Sequence, residues 1–241
     1  MSERVIAGVP AHAVDLPADL RAVAGEAVTT LVWQNDLGGL TYRVGDDRYM
    51  KWAPCGSGLP PLMDEVYRLR WAADLVPVPV VLGYGSTPTG DWMLTAALRG
   101  ESAVTPRWQA DPSTAARAIG TGLRRLHDAL PIADCPFDWS VERRLRNKGI
   151  SNYPPPPVDR LVVCHGDACA PNTLLWNDGS FLGHVDLGSL GVADRWADLS
   201  VATYSLDWNY GEGYEDVLLD AYGIAQDPMR TAYYRALWDA T

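Results

Sequence analysis

The run Val162–Leu190, VVCHGDACAPNTLLWNDGSFLGHVDLGSL, decides how the rest of the chain is read. Two short apolar stretches, Leu161–Cys164 and Phe181–Val185, have the length and composition of buried strands. The polar residues follow them closely: Asp167 just after the first strand, Asn172 five residues later, and Asp186 at the end of the second strand, before Leu187-Gly188. A carboxylate on a tight loop after a strand can accept the proton of an alcohol. An amide oxygen on the same loop and a carboxylate on the neighbouring strand can share a Mg²⁺ ion, which prefers hard oxygen ligands. Transfer of a phosphoryl group from a nucleoside triphosphate asks for little more than such a base, metal ligands and charges that hold the phosphates in line.

This order of parts is similar to the catalytic loop and metal loop of protein kinases, with His-Gly-Asp where those enzymes carry His-Arg-Asp. Such a site also needs a cation for the α- and β-phosphates on a strand of the first lobe, held by a carboxylate from the next helix. Lys51 is the only lysine before Lys148 and lies in an otherwise apolar strand, YMKWA. Glu65 is on the following helical segment, with Asp64 beside it as the alternative partner. The turn Asp36-Leu37-Gly38-Gly39 is the natural phosphate-covering loop, with Gly38 as its candidate contact, because glycines let backbone amides approach anionic oxygens. In isolation it reads equally well as a plain hairpin turn.

Working outward, Ala27–Ala53 alternates β-branched, aromatic and polar residues, broken by turn signals at 36–39 and 45–47, which predicts three antiparallel strands. Leu62–Asp74 has a helical period with Met63, Val66, Leu69 and Ala73 on one side, ended by Pro77 and Pro79. Val80–Leu98 reads as a further hairpin. Ser113–Leu130 is a helix opened by Ser113, with Ala116, Ile119, Leu123 and Leu126 facing inward. Ala197–Tyr204, Tyr214–Tyr222 and Pro228–Trp238 are helical, and Pro154–Pro157 is a connector. The expected fold is α+β and two-lobed like a protein kinase, with a β-rich nucleotide-binding lobe over residues 1–98 and a mostly helical catalytic and substrate-binding lobe over 99–241.

Composition narrows the function further. With 241 residues and 47% hydrophobic content the chain can bury a sizeable core. No apolar run approaches the roughly 18 residues of a membrane helix, and the opening Met-Ser-Glu-Arg lacks the layout of a secretory signal, so a cytoplasmic protein without a membrane partner is expected. The net charge of −10 disfavours a nucleic-acid partner. Most of the imbalance lies late in the chain, 19 acids against 12 bases after residue 99 compared with 11 against 8 before it, which suits a cationic small molecule. The four cysteines, Cys55, Cys135, Cys164 and Cys169, match no common zinc spacing and read as reduced, small buried side chains.

The runs CHGDACAPN and VDLGSLGVADRWADLS, with the earlier GLRRLHDALPIADCPFD and DDRYMKWAP, resemble the aminoglycoside phosphotransferases, especially the 3′ and 3″ types. The resemblance is dense from about Leu123 to Tyr222 and looser before. It implies an ATP-dependent (or GTP-dependent) and Mg²⁺-dependent kinase that phosphorylates a hydroxyl of an antibiotic and so confers resistance. By the same resemblance Asp167 is the base, Asn172 and Asp186 hold Mg²⁺, Lys51 contacts the phosphates and Glu65 orients Lys51. The strand around Thr95–Leu98, with Thr95 and Ala97, would border the adenine. On the substrate side, Asp198 resembles the family aspartate that braces the catalytic loop, and Trp238 and Asp239 are candidates for holding the acceptor. His127 and His165 read as core or loop-fixing residues. Two departures bear on the acceptor: Ser189 stands where the family usually has arginine, and the shortened stretch Cys135–His165 carries Arg143, Arg144, Arg146 and Lys148 where relatives contribute acids. They leave room for a nucleoside antibiotic, a macrolide-like sugar or a cellular metabolite as acceptor. A catalytically dead nucleotide-binding module would not need Lys51, Asp167, Asn172 and Asp186 together, and a metal-dependent phosphatase would leave the β-rich lobe unexplained.

Overall fold

A computed structural model describes residues 7–8, 14–149 and 154–241, so the opening segment read above for a secretory signal lies outside it. The chain divides into two compact units, one made of the described residues up to Trp71 with Pro79–Leu98, the other of Ala72–Val78 with Arg99–Thr241. The expected boundary after Leu98 is therefore joined by a second crossing, because the turn after the helix of the first unit groups with the second.

The first unit contains β1 (Ala7–Gly8), α1 (Arg21–Ala24), β2 (Thr29–Asn35), β3 (Leu40–Val44), β4 (Arg48–Pro54), α2 (Leu62–Ala72), β5 (Val81–Ser86) and β6 (Gly90–Ala96). Its strands form one antiparallel sheet in the order β1-β2-β3-β4-β6-β5. Side chains alternate between faces along a strand. One row places Tyr42, Met50 and Leu94 opposite one another, and these pack with Leu20, Leu40 and Val44 in a buried core. The adjacent row, Thr41, Lys51 and Met93, turns to the other face, towards α2. Helix α2 buries Val66 and Leu69 as the periodicity predicts, but it ends at Ala72, and Ala73, expected on the inward face, is exposed beyond it.

The second unit holds β7 (Glu101–Ser102), α3 (Pro106–Gln109), α4 (Pro112–Ala129), α5 (Val141–Asn147), β8 (Leu161–Cys164), β9 (Thr173–Leu175), β10 (Phe181–His184), β11 (Gly191–Asp194), α6 (Trp196–Tyr210), α7 (Glu215–Tyr222) and α8 (Pro228–Ala240). Helix α4 is its axis: Ala116, Ile119, Leu123 and Leu126 are all at most 1% exposed, and burial of each Leu or Ile contributes about 1.5–3 kcal/mol. Its N-cap is Asp111, whose side chain accepts from the Thr114 amide at 3.2 Å, with Pro112 in the first turn. Ser113, the expected cap, lies inside the helix. Gly120 lets α4 meet α7 closely, since a Cβ there would come within 2.2 Å of the Leu218 carbonyl oxygen. Two small antiparallel sheets, β10-β9-β7 and β11-β8, carry the loops of the site. Among the described residues no helix is long and apolar enough to cross a membrane.

Candidate active site

In the second unit, strand β8 delivers the chain to His165-Gly166-Asp167, and the loop is tied from beneath by Asp198 on α6. The Asp198 carboxylate is fully buried and accepts from the amides of His165 (2.6 Å) and Gly166 (2.9 Å) and from His127 Nε2 on α4 (2.9 Å). Burial alone would raise its pKa, but the hydrogen bond from His127, aided by His165 and the Gly166 amide, outweighs that and the pKa is lowered. With Asp198 ionised, His127 Nε2 carries the proton and Nδ1 accepts from the Tyr222 hydroxyl at 2.9 Å, whose pKa burial pushes up to about 12. Gly166 cannot be another residue: its φ is +81°, and a Cβ would lie 2.1 Å from the Ser189 carbonyl oxygen.

Further bonds fix the rest of the loop. The His165 ring bridges it to the segment that follows β10, with Nδ1 accepting from the Asp167 amide (3.3 Å) and Nε2 donating to the Val185 carbonyl (3.0 Å). Trp139 Nε1 donates to the Gly166 carbonyl at 3.0 Å, and the Ala170 amide donates to Ser205 Oγ at 2.9 Å. Asn172 Nδ2 donates to the Asp167 carbonyl at 2.9 Å, which commits the amide nitrogen and leaves Oδ1 as the atom suited to a cation. The Val185 amide donates to the Asn172 carbonyl at 3.0 Å, so Asp186 follows directly on a strand pinned to the same loop. Asp186 has φ +63°, the one non-glycine residue in the left-handed region among those described. The Cys169 thiol lies between these acids: burial, the charge and hydrogen bond of Asp167, and the charge of Asp186 raise its pKa well above the thiol range. Asp167, Asn172 and Asp186 are thus brought together, each partly exposed while the residues beneath them are buried.

Their chemistry fits a hard divalent cation. One amide oxygen and one carboxylate are offered beside a second carboxylate, with no soft ligand presented as a thiolate. A second grouping, His127, Cys164 and Asp198, has ligand atoms within 4.8 Å of one another, yet it is a hydrogen-bonded core. Both imidazole nitrogens and both carboxylate oxygens are engaged, and burial keeps the Cys164 thiol protonated. Of the cysteines, all free, only Cys164 is a fully buried side chain as expected; Cys55 is exposed.

In the first unit Lys51 Nζ on β4 donates to both oxygens of Glu65 on α2, at 2.9 and 2.8 Å, with 23% of the lysine side chain exposed against 7% for the glutamate. Asp64 is instead beside Arg68. Two expectations for this unit change. The amides of Leu37 and Gly39 donate to Asn35 Oδ1 and that of Gly38 to the Asn35 carbonyl, so the turn is a closed hairpin that offers none of these N–H groups to a phosphate. Gly38 is required there by its φ of +84°. Likewise the Ala97 amide donates to the Asp47 carbonyl at 2.8 Å, so it offers no N–H to an adenine, while Thr95 lies buried in β6.

Asp198, grouped with the substrate side, is enclosed and fully hydrogen-bonded: it braces the His165–Asp167 loop, as the resemblance implied, and cannot touch an acceptor. Trp238 on α8 is half-buried against Arg144, and Asp239 is exposed. Of the bases on the shortened segment, Arg143, Arg146 and Lys148 are exposed and only Arg144 turns inward. Trp139, Ser205 and Tyr222 support the loop without any signal in the sequence beyond being polar groups on apolar segments.

A profile described as "Phosphotransferase enzyme family" matches residues 33–153 and 148–235. An aminoglycoside 3′-phosphotransferase of Niallia circulans is 30% identical over 251 residues, covering 90% of this chain and 94% of that one. A streptomycin 3″-kinase of Streptomyces griseus is 30% identical over 84% of this chain and 88% of its own. Among solved structures, the aminoglycoside phosphotransferase APH(3″)-Id of Streptomyces rimosus superposes with a TM-score of 0.72 at 28% identity, covering 92% of this chain and 96% of that one. The same enzyme has been solved in complex with ADP and streptomycin. The fold is that of the aminoglycoside kinases, mixed α+β with a sheet-rich and a helical part. With Asp167, Asn172, Asp186, the buried Asp198 beneath them and the Lys51–Glu65 pair all lying inside the matched segments, this chain belongs to the phosphotransferase enzyme family.

Proposed function

We propose that the protein transfers the γ-phosphoryl group of ATP, with Mg²⁺, to a hydroxyl of an aminoglycoside-type antibiotic and thereby inactivates it. The observation that carries the reading is the convergence of Asp167, Asn172 and Asp186 on one loop system locked by the buried Asp198. The relatives named above act on aminoglycosides, and one is solved with ADP and streptomycin, which supports both the donor and the acceptor class.

In this reading Asp167 accepts a hydrogen bond from the acceptor hydroxyl and takes its proton as the new O–P bond forms and the bond to the ADP leaving group breaks. Asn172 Oδ1 and the Asp186 carboxylate would hold Mg²⁺, which, when bound, neutralises charge on the phosphates. Lys51, fixed by Glu65, supplies a cation for the phosphates. Asp198, His127 and Tyr222 act earlier in the causal order: they hold the loop so that the base needs no reorganisation when the substrates arrive.

Purified protein with Mg-ATP and a panel of aminoglycosides tests this. ADP release with a product heavier by one phosphoryl group is expected for at least one of them, and Asp167→Ala should lower kcat by about 10²–10⁴, the span for losing a positioned base. Indifference to every aminoglycoside would sink the acceptor class, and turnover unchanged in Asp167→Ala would remove Asp167 from its role.

A further inference from the structure

Arg144 is the inward-facing member of the basic segment, one turn into α5, whose N-cap Ser140 accepts from the Arg143 amide at 3.3 Å. Its guanidinium carbon lies 4.4 Å from the Trp139 ring centre and 5.8 Å from that of Trp238, and Nε donates to Thr241 Oγ1 at 2.9 Å. Thr241 Oγ1 in turn donates to the Leu237 carbonyl at 2.8 Å, so the end of α8 is closed on this arginine. Two aromatic faces and one fixed hydrogen bond restrict the guanidinium far more than solvent would, and aromatic rings favour a cation at this range.

The other side of the same assembly is the catalytic loop. Trp139, whose face carries Arg144, donates its indole N–H to the Gly166 carbonyl, the residue before the base. Trp139 also fits so tightly there that a Cβ on Gly166 would lie 2.6 Å from its ring. Burial pushes the Arg144 guanidinium's pKa below its ordinary value, and the negative charge of Asp167 pushes it back up. A guanidinium starts so far above neutrality that it stays charged, so a permanent cation stands within Coulomb reach of the Asp167 carboxylate.

We propose that Arg144, clamped by Trp139, Trp238 and Thr241, is a positioning residue whose fixed charge orients the Asp167 carboxylate for the acceptor hydroxyl. The inference rests on Asp167 being the base of the reaction proposed above. It assigns a role to one member of a segment that otherwise reads as a solvated basic face. It also makes the end of α8 part of the machinery that aligns the base, through a contact chain from Thr241 and Trp238 to Arg144, Trp139 and Gly166.

The test uses the full-length protein and the acceptor that the wild type phosphorylates, with Arg144→Met and Arg144→Lys each made alone and in the Asp167→Asn background. Met keeps an extended side chain against the tryptophans without the charge; Lys keeps the charge without the planar fork. Expected are a loss of about tenfold or more in kcat for Arg144→Met, with the KM for ATP unchanged, and substantial retention for Arg144→Lys. In the Asp167→Asn background the Met substitution should add little, because residues acting through one group are strongly non-additive. A full additional loss in that background, a Lys variant as impaired as the Met variant, or wild-type kcat in Arg144→Met would overturn the proposal. Thermal melts of the single variants separate a folding defect from these outcomes. Wild-type phosphorylation of the acceptor is the control that fails only if the parent reading fails.

Discussion

Replacing Asp198 by alanine removes one carboxylate and strands three donors at once, the His165 and Gly166 amides and the His127 imidazole. Hydrogen bonds to charged groups contribute about 1.5–3 kcal/mol each. Their gross sum overstates the loss because the site relaxes and admits water, and removing one partner of a buried charged cluster costs about 3–5 kcal/mol. For a chain of this size each kcal/mol moves Tm by about 2–4 °C, so Asp198→Ala should melt roughly 6–20 °C below wild type. Asp198→Asn keeps the shape but turns one acceptor oxygen into a donor facing an N–H, so its loss should be smaller but still measurable. The pH dependence has a definite sign. Folding lowers the Asp198 pKa, so the native state binds fewer protons there than the unfolded chain does. The stabilisation is complete above the unfolded carboxylate value of about 3.9 and is lost as pH falls through the lower, folded value. The gap between wild type and Asp198→Asn, followed by calorimetry, should therefore be flat from about pH 5 to 8 and close only below about pH 4. A melt within 2 °C of wild type for Asp198→Ala, or full kcat in a variant that has lost its loop anchor, would refute the bracing argument.

Three further outcomes follow from the same geometry. Glu65→Ala removes the carboxylate that holds the Lys51 ammonium at 2.8 Å, and the KM for ATP should rise at least about tenfold, the lower end of the roughly 1.5–3 kcal/mol in a hydrogen bond to a charged group; an unchanged KM would dissociate the pair from nucleotide binding. Asp186→Ala should lower Mg²⁺-dependent turnover by more than about 10³, since a metal's charge neutralisation is worth several kcal/mol, and a Mg²⁺ titration of the residual activity would expose a mistaken ligand assignment if its midpoint matched wild type. In Gly166→Ala the added methyl meets the Ser189 carbonyl in a left-handed backbone, so urea denaturation should show a loss of at least about 2 kcal/mol together with impaired turnover.

The strands and helices that carry the chemistry were legible because they obey simple periods. The two-residue alternation around Tyr42, Met50 and Lys51 separates core from site, and the α4 stripe of Ala116, Ile119, Leu123 and Leu126 is buried throughout. The order of Asp167, Asn172 and Asp186 after the apolar strands β8 and β10 was equally clear, because short apolar runs flanked by polar turns are visible in the sequence. Short elements were not legible. Strands β9 and β11 and helix α5 are three to seven residues long, and β9 and β11 owe their form to pairing with β10 and β8. The N-terminus of α4 was misplaced by two residues because Asp111 and Ser113 are both good caps, and only Pro112, which prefers the first turn, decides between them. Gly38 and Ala97 failed for a different reason. A sequence marks where a backbone amide is, but not whether a neighbour such as Asn35 or Asp47 has already engaged it.

The left-handed backbone at Asp186 has an implication for how this enzyme would respond to selection. A side chain in that conformation costs about 1 kcal/mol or more relative to glycine, a gain that offsets the contacts and chain stiffness lost in Asp186→Gly, so that variant should melt close to its parent while losing its activity. Any library ranked by thermal persistence alone would fail to discard that dead variant. In a lineage no longer exposed to its drug, the same relief of torsional stress would make position 186 an easy first step towards a well-folded relic.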